Sequence, residues 1–157
     1  MKKTLVAVLL VVAVSFVGPA KAKADYLSLN FGVITDTSLS FNPFLWTAGM
    51  TIDVPLGSVM TLCPEGYIVV HKFDFGTFIF APAVMLNFNF NEFFVGGGIS
   101  KWFLLGDDID GSPSSDFSLK LNVGFQGVDL RLTAFIFTPF NDLFGSAAVG
   151  ATLGFVF

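Results

Sequence analysis

The sequence predicts an all-β chain, an antiparallel up-and-down transmembrane β-barrel of about eight strands, preceded by a cleaved signal peptide. Three observations carry that prediction. The first two dozen residues have the order of an export signal. The remainder shows apolar residues at every second position in strand-length segments separated by turn residues. The chain stops on an alternating segment whose last residue is Phe157.

At the N-terminus, Met1-Lys2-Lys3 is positive, Leu5 to Val17 is almost wholly apolar, and Gly18-Pro19 breaks the run. Ala22-Lys23-Ala24 then offers small residues at the positions a signal peptidase reads. The expected cut follows Ala24, which makes 1–24 the signal and 25–157 the mature barrel; a cut after Ala22 is the alternative. The apolar run is short of the roughly 20 residues a helical span needs. No cysteine follows the cleavage region, which disfavours a lipoprotein anchor. Lys2, Lys3, Lys21 and Lys23 leave with the signal. The mature chain keeps four basic residues (Lys72, Lys101, Lys120 and Arg131) against 12 acidic ones, a formal charge of −8. So acidic a chain is a poor partner for nucleic acid.

The first expected strand, 26–34, sets Leu27, Leu29, Phe31 and Val33 against Ser28, Asn30 and Gly32. The second, 44–54, sets Phe44, Trp46, Ala48, Met50 and Ile52 against Thr47, Gly49, Thr51 and Asp53. The third belongs in 58–72, where Cys63-Pro64-Glu65-Gly66 interrupts it. Pro cannot donate to a ladder and Pro-Glu-Gly is turn chemistry, so either a bulged strand crosses here or the strand is only 67–72. Segments 78–90 and 93–104 follow. Segment 117–126 has the cleanest alternation, with Phe117, Leu119, Leu121, Val123 and Phe125 on one face. Segments 128–138 and 147–157 complete eight. The longest apolar run after the signal, Leu143 to Phe157, is interrupted by Gly145, Gly150 and Gly154 and is too short for a helix across a bilayer. Connections near 55–57, 89–92 and 126–127 are tight, whereas 35–41, 105–116 and 139–146 are longer and richer in Gly, Ser and Asp. Outer-membrane barrels have short periplasmic turns and longer outer loops, and eight strands put both termini on the periplasmic side.

Alternation does not say which face is inside; volume does. An eight-stranded lumen is just wide enough for side chains to fill it. One face carries Phe, Leu, Val, Ile and Trp, the other Gly, Ala, Ser, Thr and Asn. The small face fits the lumen and the large one meets lipid. The alternative is a Phe-rich soluble core. Phe88, Phe90, Phe93, Phe125, Phe155 and Phe157 group at one end of the strands, and Phe44, Trp46, Phe103 and Phe117 at the other, as two aromatic girdles.

In that lumen the expected charges are Asp53, Lys120, Asp129 and Arg131, and buried charges need partners. They are expected to pair as one network, either as a structural plug or as a gate for ions. Ile79, Trp102, Phe135 and Phe137 point inward nearer the outer end, as filled core or as a pocket for a small apolar molecule. The lone Cys63 and lone His71 argue against a disulfide, a multi-cysteine metal site and a Ser-His-acid site, so no cofactor, metal or enzyme activity is expected, with a lipid-modifying enzyme as the least favoured reading. Asp107-Asp108-Ile109-Asp110-Gly111 has part of a calcium loop's composition without its spacing and reads as a solvated loop.

With its signal peptide, alternating strands and terminal Phe157, the whole of 25–157 resembles the small eight-stranded outer-membrane barrels, the class of OmpX and the OmpA transmembrane domain. The resemblance implies a narrow or closed, porin-like lumen. It implies a monomer among outer-membrane lipid and lipopolysaccharide, inserted by the barrel assembly machinery through Leu153, Phe155 and Phe157. Its roles would lie in the cell envelope: structure or surface interaction, or passage of a small apolar ligand.

Overall fold

The computed structural model describes residues 26–37, 45–106, 113–143 and 146–157. The candidate signal segment, Phe44 and the Asp107–Gly111 run lie outside the described residues. Nine strands form: β1 Tyr26–Asp36, β2 Leu45–Pro55, β3 Met60–His71, β4 Asp74–Phe90, β5 Phe93–Ser100, β6 Phe103–Gly106, β7 Ser118–Gln126, β8 Leu130–Pro139 and β9 Ala148–Val156. β5 and β6 both pair with β4 in one unbroken register, so they are two halves of a single stave that lapses at Lys101-Trp102. Every neighbouring pair is antiparallel, and β1 pairs with β9 to close the ring. The fold is an eight-stave closed barrel.

Register sets its dimensions. Residues opposed across successive staves run from Tyr26 through Asp53, Cys63, Met85, Gly98, Lys120, Phe137 and Ala148 and return to β1 at Asp36, ten residues further on. With ordinary strand spacing and rise, a ten-residue stagger over eight staves gives a tilt of about 40° and a backbone radius of about 8 Å. Such a lumen holds one layer of side chains from each wall and little else.

The third strand differs from either expectation. β3 runs straight through Pro64-Glu65-Gly66 and keeps one register with β4 from Met60 to Val69. Pairing with β2 lapses only opposite Cys63 and Pro64, where Pro has no N–H to give, and resumes in the same register. The irregularity lies instead between Val69 and His71, beside the turn. That turn is the two-residue Lys72-Phe73, with φ of 50° and 58°. Two successive positive φ values make the hairpin turn that matches strand twist. A Phe in that region is sterically costly, and the Phe73 ring recovers contact by stacking on Trp46, centroids 4.8 Å apart.

Burial is inverted relative to a soluble protein. Among the described residues 15 polar or charged side chains are buried, while 26 large apolar ones, including Phe31, Met50, Phe88, Leu121 and Leu132, face outward exposed. Alternation is clear over most of β8, where Arg131, Thr133 and Phe135 point in and Leu130, Leu132 and Ala134 point out, and it lapses only near the end, where Phe137 and Thr138 are both buried. Glycines on the inner face are seats for larger neighbours. A β-carbon at Gly150 would fall 2.5 Å from the Phe135 ring, and one at Gly98 would fall 2.7 Å from Met85 Sδ. Gly97 faces outward, with Leu121 Cδ2 3.3 Å from its β-carbon position.

Gly150→Val therefore has nowhere to put its side chain and should cost about 3 kcal/mol or more. Gly97→Ala should stay within about 0.5 kcal/mol of wild type. Urea titration of the refolded protein, read by tryptophan fluorescence, separates the two.

Candidate functional site

Where inward side chains meet is decided by the stagger, and it sorts the lumen into levels. At the tight-turn end, β8 delivers Arg131 and β2 delivers Asp53. Arg131 Nη1 donates to both carboxylate oxygens of Asp53, at 2.9 and 2.7 Å, and the guanidinium lies over the Phe94 ring, 4.6 Å from its centroid. Cys63 Sγ donates to Asp53 Oδ1 at 3.0 Å, and Asn87 Nδ2 donates to Cys63 Sγ at 3.2 Å. The carboxylate is thus held from β8 and from β3. Below the pair a vestibule of about 350 Å³ opens at the tight turns, lined by Asp53, Thr61, Asn87, Asn89, Glu92 and Gln126 among others.

In the middle of the lumen Lys120 of β7 is paired with Glu65 of β3 across the barrel, with the lysine 1% and the glutamate 5% exposed. The ammonium also faces three rings, Tyr67 at 4.8 Å, Phe135 at 4.8 Å and Phe137 at 5.1 Å. Thr51 Oγ1 donates to Glu65 Oε2 at 3.3 Å and accepts from Asn30 Nδ2 at 3.0 Å. Lys120, Glu65, Thr51 and Asn30 make one continuous polar chain from β7 to β1. Removing either partner of such a buried pair strands a charge in a low dielectric, which costs far more than the pair itself contributes.

Towards the longer connections the lumen turns apolar. Ile34, Val69, Phe135 and Phe137 form a buried cluster, with Leu45, Ile79, Trp102 and Ala148 packed on it. Trp102 meets Phe137 edge-on at 5.3 Å, and Phe135 meets Phe137 at 5.3 Å. Ile79, Trp102, Phe135 and Phe137 come together here as a packed cluster.

Asp129 is a correction. It does not join the lumen charges. β8 begins at Leu130, two residues later than the alternation suggests, and Gly127-Val128-Asp129 form the turn before it. Asp129 is exposed there, and its backbone carbonyl accepts from Val156 N at 2.9 Å. Lys120 likewise pairs with neither Asp53 nor Asp129 but with Glu65, which sequence reasoning passed over because Pro64-Glu65-Gly66 looked like a turn. Its parity with Cys63 and Tyr67, together with a buried lysine in need of a carboxylate, was the available clue. Leu153, Phe155 and Phe157 lie on or just beyond β9 with their side chains exposed outward. Among the described residues no three His, Cys, Asp or Glu side chains are grouped to hold a metal ion.

No protein-family model matches this sequence, and no curated protein matches it. Among solved structures, the N-terminal β-barrel domain of Pseudomonas aeruginosa OprF is similar over 84% of this chain and 97% of its own, at 12% identity and a TM-score of 0.49. Ail, the attachment invasion locus protein of Yersinia pestis, is similar over 84% of this chain and 95% of its own, at 12% identity and a TM-score of 0.41. By its own topology the chain is an eight-stranded antiparallel closed barrel.

Arg131→Met should destabilise the barrel by about 3–5 kcal/mol, and adding Asp53→Leu should restore most of the loss. Lys120→Met and Lys120→Met with Glu65→Gln should behave the same way. Asp129→Asn should change stability by less than about 0.5 kcal/mol. Denaturant midpoints of the five variants measure all three expectations.

Proposed function

We propose that this chain is a bacterial outer-membrane barrel with a closed lumen and a structural or surface-interaction role, and that it is not an enzyme. The observation that carries the reading is the inverted burial: large apolar side chains cover the outside of a closed ring while charges and amides fill the inside. A monomer with so much contiguous apolar surface is not stable in water, and only a closed barrel brings strands into lipid without unpaired backbone groups. The aromatic positions support it, with Phe88, Phe90 and Phe93 exposed at the tight-turn end and Trp46, Phe73 and Phe117 at the other. On this reading residues 1–24 are an export signal, 25–157 the monomeric mature barrel, and Leu153, Phe155 and Phe157 the segment the barrel assembly machinery recognises.

The ion pairs and the packed cluster above them act as a plug. Each level spans the lumen from opposite walls, and an ion entering it must displace a paired charge or a packed ring. His71, the only histidine, is exposed at the end of β3 beside the turn, away from the lumen charges.

Three measurements test the proposal together. The protein should appear in the outer-membrane fraction with Asp25 at its N-terminus, and should migrate differently on a denaturing gel before and after boiling. In planar bilayers it should add no steady conductance above leak. Recovery from the soluble periplasm without a heat-dependent shift would overturn the membrane reading; a steady wild-type conductance would overturn the plug.

A further inference from the structure

Building on the membrane reading, we infer that the outer wall of β1–β3 and β9 carries a seat for lipopolysaccharide, holding one acyl chain of its lipid A in a groove and a phosphate at Lys72. The groove encloses about 530 Å³, within the range of ligand clefts, and is lined by Phe31, Trp46, Ala48, Ile68, Phe73 and Leu153 among others. Its floor is Ala48, which lies opposite Phe31 on β1 and Ile68 on β3. One small outward side chain between large exposed ones makes a channel at this place in the wall. The groove climbs from Leu153 and Phe155 on β9 to the Trp46–Phe73 stack at the Lys72-Phe73 turn.

Charge selects the head group. Two of the four basic residues after position 24, Lys120 and Arg131, are buried in the lumen. The other two, Lys72 and Lys101, both lie toward the longer connections. Lys72 is exposed in the turn that ends the groove, and Lys101 leans over the Phe103 and Phe117 rings at 5.6 and 5.2 Å. Carboxylates are exposed at both ends, Glu92 and Asp129 at the tight turns and Asp116 and Asp142 by the longer connections, so among the described residues it is the lysines that distinguish the two rims. Lysines beside an aromatic girdle on one rim suit a leaflet with anionic head groups there. Asp74 follows Phe73 in the same hairpin, so Lys72 offers a placed donor rather than a strong field. The groove supplies affinity and Lys72 supplies preference for phosphate.

Native mass spectrometry of the detergent-solubilised, full mature barrel tests this with three probes: diphosphorylated lipid A, its dephosphorylated counterpart with the same chains, and phosphatidylethanolamine. One lipid A should be retained per barrel, about tenfold more tightly than the dephosphorylated form, which corresponds to about 1.4 kcal/mol. Ala48→Leu fills the floor on the lipid-facing side, where the barrel tolerates it, and should weaken both lipid A forms about tenfold. Lys72→Asn, a residue suited to positive φ, should abolish the phosphate preference and leave acyl retention. Equal retention of all three lipids, or no effect of Ala48→Leu in a variant that still shifts on heating, would overturn the seat alone. A wild-type protein with no heat-dependent shift would overturn the membrane reading and the seat with it.

Discussion

The ten-residue stagger of the closed ring is the constraint on which the rest of the structure depends. It sets a lumen about 8 Å in backbone radius, narrow enough that side chains from facing walls meet and fill most of it. Several large inward residues are accommodated against a bare neighbour. Phe135 lies over Gly150, Met85 over Gly98, and Tyr67 and Phe94 over Gly49 and Gly124. Gly in a strand normally weakens it. Here closure supplies backbone pairing on both sides of every stave, and the missing side chain becomes space for the neighbour's.

Closure also explains the placement of charge. Among the described residues four charged side chains sit where water is scarce, and each is matched across the lumen: Arg131 by Asp53, Lys120 by Glu65. The partners come from different staves, so each pair ties opposite walls together. The supports differ. Cys63 and Phe94 hold the pair nearer the tight turns, whereas Thr51 and three aromatic rings surround the other. On the proposed closed-lumen reading, the answered charges and the rings packed above them are what would block a path.

The outer wall follows a separate logic. Side chains there need no partner in the chain, so bulk is spread almost continuously and the exceptions stand out. Ala48 is one, as are Gly97, Ala134 and Ala151, and the Lys72-Phe73 turn is another. The turn accepts two positive φ values and places an aromatic against Trp46, an uncommon local choice whose result is a cation held beside the girdle.

What the sequence by itself determined is parity and count. A period of two is a local property, so Ser28, Asn30, Lys120, Arg131 and Phe135 were legible as inward, and Phe31, Trp46, Leu121 and Phe155 as outward, without knowing any neighbour. Turn chemistry and connection lengths then placed the stave ends. Which inward residues share a level was not legible, because the stagger accumulates from the offsets of all the staves and is complete only when β9 meets β1. Lys120 meeting Glu65 rather than Asp53 is decided there. Two errors were local. Pro64 interrupts one ladder without ending β3, because the pairing to β4 carries the strand past it. Asp129 keeps the alternation in a segment that is already a turn, because a two-residue period says nothing about where pairing begins.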